Sequence, residues 1–116
     1  MRFLIFCLSL VSALPASPCE FYSNSTGTRV GTGEGNRIYD SRGRMRGMFN
    51  SGSVYKADGS IAGSTFGIAI YDSKGTYLGK ISEGSIVTSD GSEVGFEREC
   101  TDPQAGAGAL LLLLKK

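Results

Sequence analysis

Glycine recurs along this chain at a fixed interval of sixteen residues. Gly27, Gly43, Gly59, Gly75 and Gly91 form one column, and Gly31, Gly47, Gly63, Gly79 and Gly95 form a second, four residues further on. Such a period marks tandem copies of one supersecondary unit, each of which hides its apolar face only against its neighbours. Other columns keep the same step: Tyr22, Ile38, Val54, Ile70 and Ile86; then Ser23, Tyr39, Tyr55, Tyr71 and Val87; then Ser25, Ser41, Ala57, Ser73 and Ser89. Five units run from Cys19 to Glu99 and fill the chain between a leader-like start and an apolar tail.

One unit reads as a β-hairpin. Ile70-Tyr71-Asp72 and Tyr77-Leu78 are β-prone stretches, and Asp72-Ser73-Lys74-Gly75 lies between them. An Asp that opens a turn bonds the backbone two residues on, and the glycine supplies the positive φ that closes a type I turn with a bulge. Asp58-Gly59 and Asp90-Gly91 carry the same signal in a tighter form. Five units predict an all-β fold of about ten short antiparallel strands in up-and-down order. If Tyr71 faces Tyr77, then Ile70 faces Leu78. Alternation then puts Tyr39, Tyr55, Tyr71 and Tyr77 on one face with the second glycine column, where rings would cover bare backbone. Ile38, Val54, Ile70 and Ile86 take the other face with Ala62, Leu78 and Val94. Both faces are partly apolar, so a closed barrel or a curled sheet is expected. The alternative is a two-sided β-solenoid with sixteen-residue coils.

The cysteines bear on that choice. Residues 1–13 combine Arg2, an apolar run and the small residues Val11-Ser12-Ala13, the pattern of a secretory signal peptide. Cleavage after Ala13 is the first choice and after Ala16 the second. Cys7 leaves with that segment. Cys19 and Cys100 remain at the two ends of the repeat domain, residues 19–100, and an even pair in a secreted domain reads as one disulfide. Ten flat strands at ~4.8 Å each would hold the ends far beyond the ~7 Å that a disulfide spans, so the bond requires closure. In a solenoid it could not form within one chain.

The stretch Ile70-Tyr71-Asp72-Ser73-Lys74-Gly75-Thr76-Tyr77-Leu78-Gly79-Lys80-Ile81 and its sisters resemble short tandem Tyr-Asp-x-x-Gly-x-x-x-Gly repeats of bacterial surface and secreted proteins and of fungal proteins of unknown function. The hairpin logic is also similar to that of MORN repeats, although the longer MORN motif is absent. The resemblance covers about eighty residues. It implies a β-hairpin array and carries no active site with it.

Net charge is +1 and there is no His among 116 residues. The first removes the electrostatic footprint of a nucleic-acid binder; the second removes the commonest general base and metal ligand. Ser41, Ser73 and Ser89, and Asp40, Asp58, Asp72 and Asp90, sit where turns want them. Gly31-Thr32-Gly33-Glu34-Gly35 looks like a phosphate loop but lacks the following Lys and helix, and reads as the turn between the first two units. No catalytic residue, metal or cofactor is expected. Binding candidates are Tyr39, Tyr55, Tyr71 and Tyr77 as an aromatic strip, and Arg42, Arg44 and Arg46, with Arg37, as a basic patch. Asn24-Ser25-Thr26 is an N-glycosylation sequon. Residues 101–116 form an apolar tail, ten apolar residues then Lys115-Lys116, too short to span a bilayer and read as a loose or weakly docked end. The expectation is a secreted (extracellular, or periplasmic in a bacterium) non-catalytic repeat protein that binds a protein or glycan. A self-associating surface protein is the alternative, and a small hydrolase or inhibitor a weaker one.

Overall fold

A computed structural model describes residues 19–114. The expected signal peptide with Cys7, and Lys115-Lys116, lie outside those residues. Ten strands follow one another: β1 (Cys19–Ser23), β2 (Arg29–Glu34), β3 (Arg37–Asp40), β4 (Met45–Asn50), β5 (Ser53–Lys56), β6 (Ile61–Phe66), β7 (Ala69–Asp72), β8 (Tyr77–Ser82), β9 (Ser85–Thr88) and β10 (Glu93–Arg98). Each pairs antiparallel with its chain neighbours, and β1 pairs with β10, so the meander closes into a barrel. A helix follows, α1 (Asp102–Gly108), and continues as a π-helical segment, Ala109–Leu114.

The turns explain the meander. At one end of the barrel, the amide of Gly43 donates to the Asp40 carbonyl at 3.0 Å, and that of Gly75 to the Asp72 carbonyl at 3.0 Å. Both glycines have positive φ, 83° and 85°, the geometry expected for a type I turn with a glycine bulge. At the other end, two-residue turns join the hairpins: Gly35-Asn36, Ser51-Gly52, Gly67-Ile68 and Glu83-Gly84. Ends of a closed ring meet, and Cys19 and Cys100 form the disulfide, with Cα atoms 4.4 Å apart.

Each wide turn also carries a bulge in its ladder, and this corrects the expected faces. Tyr71 does pair with Tyr77, but Ile70 pairs with Gly79, because the register slips between them. Ile38 likewise opposes Gly47, Val54 opposes Gly63, and Ile86 opposes Gly95. The second glycine column therefore shares the inward face with the isoleucines, and the tyrosines do not cover it. The first unit corrects the column itself. Phe21, not Tyr22, opposes Gly31, because the β1–β2 hairpin holds one more residue than its sisters. Phe21, Ile38, Val54, Ile70 and Ile86 are all fully buried.

The tail is not loose. It threads the barrel and supplies half of the core: Ala105, Ala107, Ala109, Leu110, Leu111 and Leu114 are buried. Thr101 caps the helix. Its hydroxyl accepts from the Gln104 amide at 3.3 Å, and the Gln104 side chain accepts from the Thr101 amide at 2.9 Å. Gln104 also donates to the Gly35 carbonyl at 3.1 Å, which fixes the helix start against the β2–β3 turn. Size is complementary in layers. The Phe21 ring lies directly against Gly108, where the helix has no side chain. One turn on, where the barrel has only glycine, the helix has leucine: Leu110 lies over Gly63, Leu111 over Gly47, Leu112 over Gly31 and Leu113 over Gly95. Successive leucines thus address β6, β4, β2 and β10, one hairpin at a time. Five hairpins share a circle at roughly 72° each. An α-helix advances ~100° per residue, whereas the wider i→i+5 winding of a π-helix advances roughly 80°, closer to the step the barrel needs.

Candidate functional site

With the lumen filled, polar and aromatic side chains are displayed on the outer face and the rims. Tyr39, Tyr55 and Tyr71 each follow an inward apolar residue on β3, β5 and β7, so alternation turns them outward. They are half-buried, and Tyr77 on β8 is exposed. Tyr71 and Tyr77 meet with ring centroids 5.8 Å apart and planes tilted by 59°. Tyr39 is instead opposite Met45, and Tyr55 opposite Ile61. Because neighbouring tyrosine-bearing hairpins are two strands apart, roughly 10 Å, the expected strip is a belt wrapped part-way round the barrel. Only Tyr71 and Tyr77 form a pair.

The arginines separate. The backbone amides of Arg42 and Arg44 donate to one oxygen of the Asp40 carboxylate, at 2.9 and 3.0 Å. The Arg44 amide is the main reason that this carboxyl titrates below its ordinary range. The Arg42 and Arg44 side chains are exposed. Arg46 is not part of a surface patch. It is half-buried and its guanidinium donates to the Leu111 carbonyl at 3.5 Å, so it ties β4 to the open carbonyls of the π-helical segment. Asp58 and Asp90 are likewise held low, first by the hydroxyls of Ser60 and Thr88 respectively and then by turn amides. Asp72 accepts from the Lys74 and Thr76 amides at 2.8 and 2.9 Å. The turn reading of all four aspartates agrees with these bonds.

Two features escape a reading of the columns. Tyr22 stacks on Phe96 at 4.9 Å with planes within 7°, Arg98 lies 6.0 Å over the Tyr22 ring, and the Tyr22 hydroxyl donates to Glu20 at 2.9 Å. Glu20 also pairs with Arg29 at 3.4 Å. Only the β1–β10 register could reveal this cluster, and that register depends on closure. The second feature is an open groove of about 400 Å³ beside Tyr39, lined by Arg29, Thr32 and Glu34. It joins an aromatic side chain to a guanidinium, a hydroxyl and a carboxylate, the set that a polyhydroxylated ligand uses. Asn24 is exposed in the longer β1–β2 turn, and its amide reaches the Glu93 carbonyl at 3.4 Å. Among the described residues no group of three or more metal-ligating side chains converges.

Comparison with known proteins gives one match. The model of a family described as "4-fold beta flower protein" covers residues 36–109. That span holds β3 to β10, four of the five hairpins, and the helix as far as Ala109. No curated protein and no solved structure matches. With well over half of the chain inside the matched span, including eight of its ten strands and the whole of α1, the chain belongs to the 4-fold beta flower protein family.

Proposed function

We propose that this is a secreted, non-catalytic binding protein that takes a protein or glycan partner on the outside of its barrel, and that a glycan suits its Tyr39 groove best. The supporting observation is the division of the molecule. The helix occupies the lumen, while Tyr39 lines an outer groove together with Arg29, Thr32 and Glu34. A sugar ring presents C–H groups to an aromatic face and hydroxyls to polar neighbours, so it uses both halves of such a groove. Secretion is supported by the leader-like residues 1–13 and by the Cys19–Cys100 bond, a bond type that persists in oxidising compartments.

Self-association, the alternative, has lost its simplest route: the ring of ten paired strands leaves no free edge among the described residues. A hydrolase would draw on aspartates that are already committed to turn hydrogen bonds.

Calorimetric titration with cellohexaose, chitohexaose and laminarihexaose tests the reading. Saturable binding to at least one is expected, weakened about tenfold by Tyr39→Ala through loss of the ring's contact, retained by Tyr39→Phe, and accompanied by an unchanged melting temperature. Absence of saturable binding, or equal affinity in Tyr39→Ala, overturns the glycan reading.

A further inference from the structure

A repeat protein contains its own control, because each turn of one unit has counterparts in the others. Four of the wide turns are tied by a carboxylate. Asp40 accepts from the Arg42 and Arg44 amides, Asp72 from those of Lys74 and Thr76, and Asp58 and Asp90 from those of Ser60 and Ser92. The first wide turn has no carboxylate. Three residues, Asn24, Ser25 and Thr26, stand between Ser23 and Gly27, whereas two stand between Asp40 and Gly43. Hydroxyls take over: those of Ser23 and Ser25 lie 3.1 Å apart, and those of Thr26 and Thr28 2.8 Å. The Asn24 backbone amide donates to the Val94 carbonyl at 2.9 Å, which fixes the residue against β10. Its carboxamide does no turn work. Among the described residues the exposed side chain has one partner, the Glu93 carbonyl at 3.4 Å.

That side chain stands on the lip of a hollow. Asn24 and Ser25 line an open space of about 410 Å³ together with Glu93, Val94 and Leu113. Leu113 is the luminal leucine that lies over Gly95, and Gly95 pairs with Ser23, the residue before Asn24. The core is therefore reached from outside at this point of the rim. Val94 and Leu113 both pack against the core, yet both are only half-buried.

We propose that Asn24 carries an N-linked oligosaccharide and that its first sugar covers Val94 and Leu113. Two independent features coincide here. The one Asn-x-Ser/Thr triplet of the chain, Asn24-Ser25-Thr26, falls on the lip of this hollow. The fold leaves that asparagine's side chain free of the turn and directed to solvent. Attachment joins Asn24 Nδ2 to the anomeric carbon of a lipid-pyrophosphate-linked oligosaccharide; Nδ2 gives up one proton and the lipid pyrophosphate leaves. The N–H that remains still suits the Glu93 carbonyl. An N-acetylglucosamine unit so placed sets its C–H face and acetyl methyl on the two apolar side chains, taking their open area out of water. Its hydroxyls meet Ser25 and Glu93. The proposal rests on the secreted reading, because the transfer takes place in a secretory compartment.

The full chain with its own leader, secreted from eukaryotic cells, should show a heterogeneous mass. Peptide N-glycosidase should collapse that mass to a single species and convert the Asn24 carboxamide to a carboxylate. Asn24→Gln and Thr26→Ala should each abolish the added mass, and Thr26→Ser should keep it. An endoglycosidase that leaves only the first N-acetylglucosamine isolates that sugar's cover from the rest of the glycan. Amide exchange at Val94 and across 109–114 should stay slow with the single sugar and rise severalfold once it too is removed, while β4 to β7 do not change. Secretion with a bare Asn24, or equal exchange with one sugar and with none, would overturn the proposal and leave the secreted reading standing. Retention of an uncleaved chain inside the cell would overturn both. Asn24 does not line the Tyr39 groove, so oligosaccharide binding there stands or falls separately.

Discussion

Gly63 and Gly75 resist side chains for different physical reasons. A Cβ at Gly63 would meet the Tyr71 carbonyl across the strand pair and stand 2.8 Å from a Leu110 methyl. At Gly75 there is open space, but φ is 85°, which a β-branched residue adopts only with strain. Gly63→Ala should therefore destabilise by overpacking, roughly 1–3 kcal/mol, and Leu110→Ala should partly rescue it. Gly75→Val should cost on the order of 1–2 kcal/mol through backbone strain alone, with no rescue from the helix. Urea titrations of the two singles and the double variant separate the cases. Glu97 is a different kind of misfit. It opposes the buried Phe21, and desolvation, reinforced by Asp102 and Glu99, raises its titration above the ordinary carboxyl value despite a bond from the Cys100 amide. Its ionised form is therefore the one the fold disfavours. Glu97→Gln should melt higher than the native chain at neutral pH. That gap should narrow as pH falls below the raised Glu97 value and close below the ordinary one. The lowered values of Asp40, Asp58 and Asp90 act oppositely: the stability they contribute is present at neutral pH and is lost as acid protonates them. Comparison of native and Glu97→Gln melting curves across pH isolates the first effect from the second.

At the scale of elements, the hairpins were legible in sequence because their determinants are local. An Asp, a glycine three or one residues on, and flanking β-branched or aromatic residues specify turn and strands within sixteen residues. The strand faces were less legible. One bulge in each wide-turn ladder is the reason: across the β7–β8 turn it sets Gly79 directly opposite Ile70, and no residue in the motif announces that slip. This is why the glycine column and the leucine run looked unrelated. Taken separately, five spaced glycines want covering and five consecutive leucines want burial; inside the barrel Leu110 to Leu113 cover four of those glycines, Gly63, Gly47, Gly31 and Gly95. The contact is specific enough to test. Leu111 is buried over Gly47, with an added Gly47 Cβ only 2.8 Å from its methyl. Leu111→Ala should cost about 2–5 kcal/mol, the range for emptying a close-packed site. Leu111→Met, of similar volume, should cost less than about 1.5 kcal/mol. Equal losses in equilibrium unfolding would mean that the leucine layer is loosely packed. Arg46→Ala adds a check on the segment's end: loss of the bond to the Leu111 carbonyl should increase amide exchange across 109–114 without altering the strands.

For the molecule as a whole, closure is the property from which the rest follows, and two cysteines made it readable. A bond between Cys19 and Cys100, with 81 residues separating them, is compatible with the ring and not with an open array. What the cysteines could not reveal is how much depends on the seam. Cys19 begins β1, the strand that joins β10 to β2, and Cys100 directly precedes the helix cap Thr101. The bond therefore pins two things at once, the last pair of strands to close and the start of the segment that fills the lumen. In the loop-entropy account its removal costs about 4 kcal/mol. The loss should not be uniform. β1 keeps its local partner β2 through the Gly27 turn, whereas its pairing with β10 is between the far ends of the chain. In the doubly substituted Cys19→Ser, Cys100→Ser protein, hydrogen exchange should rise first across β1, β10 and the first turn of α1, while β4 to β7 stay protected until global unfolding. A protein whose seam is held by its ladder alone would instead lose protection everywhere together, because β1 would then open only when the barrel does. The two patterns distinguish a staple that holds the ring closed from one that merely shortens the unfolded chain, and the position of Thr101 next to the bond favours the first.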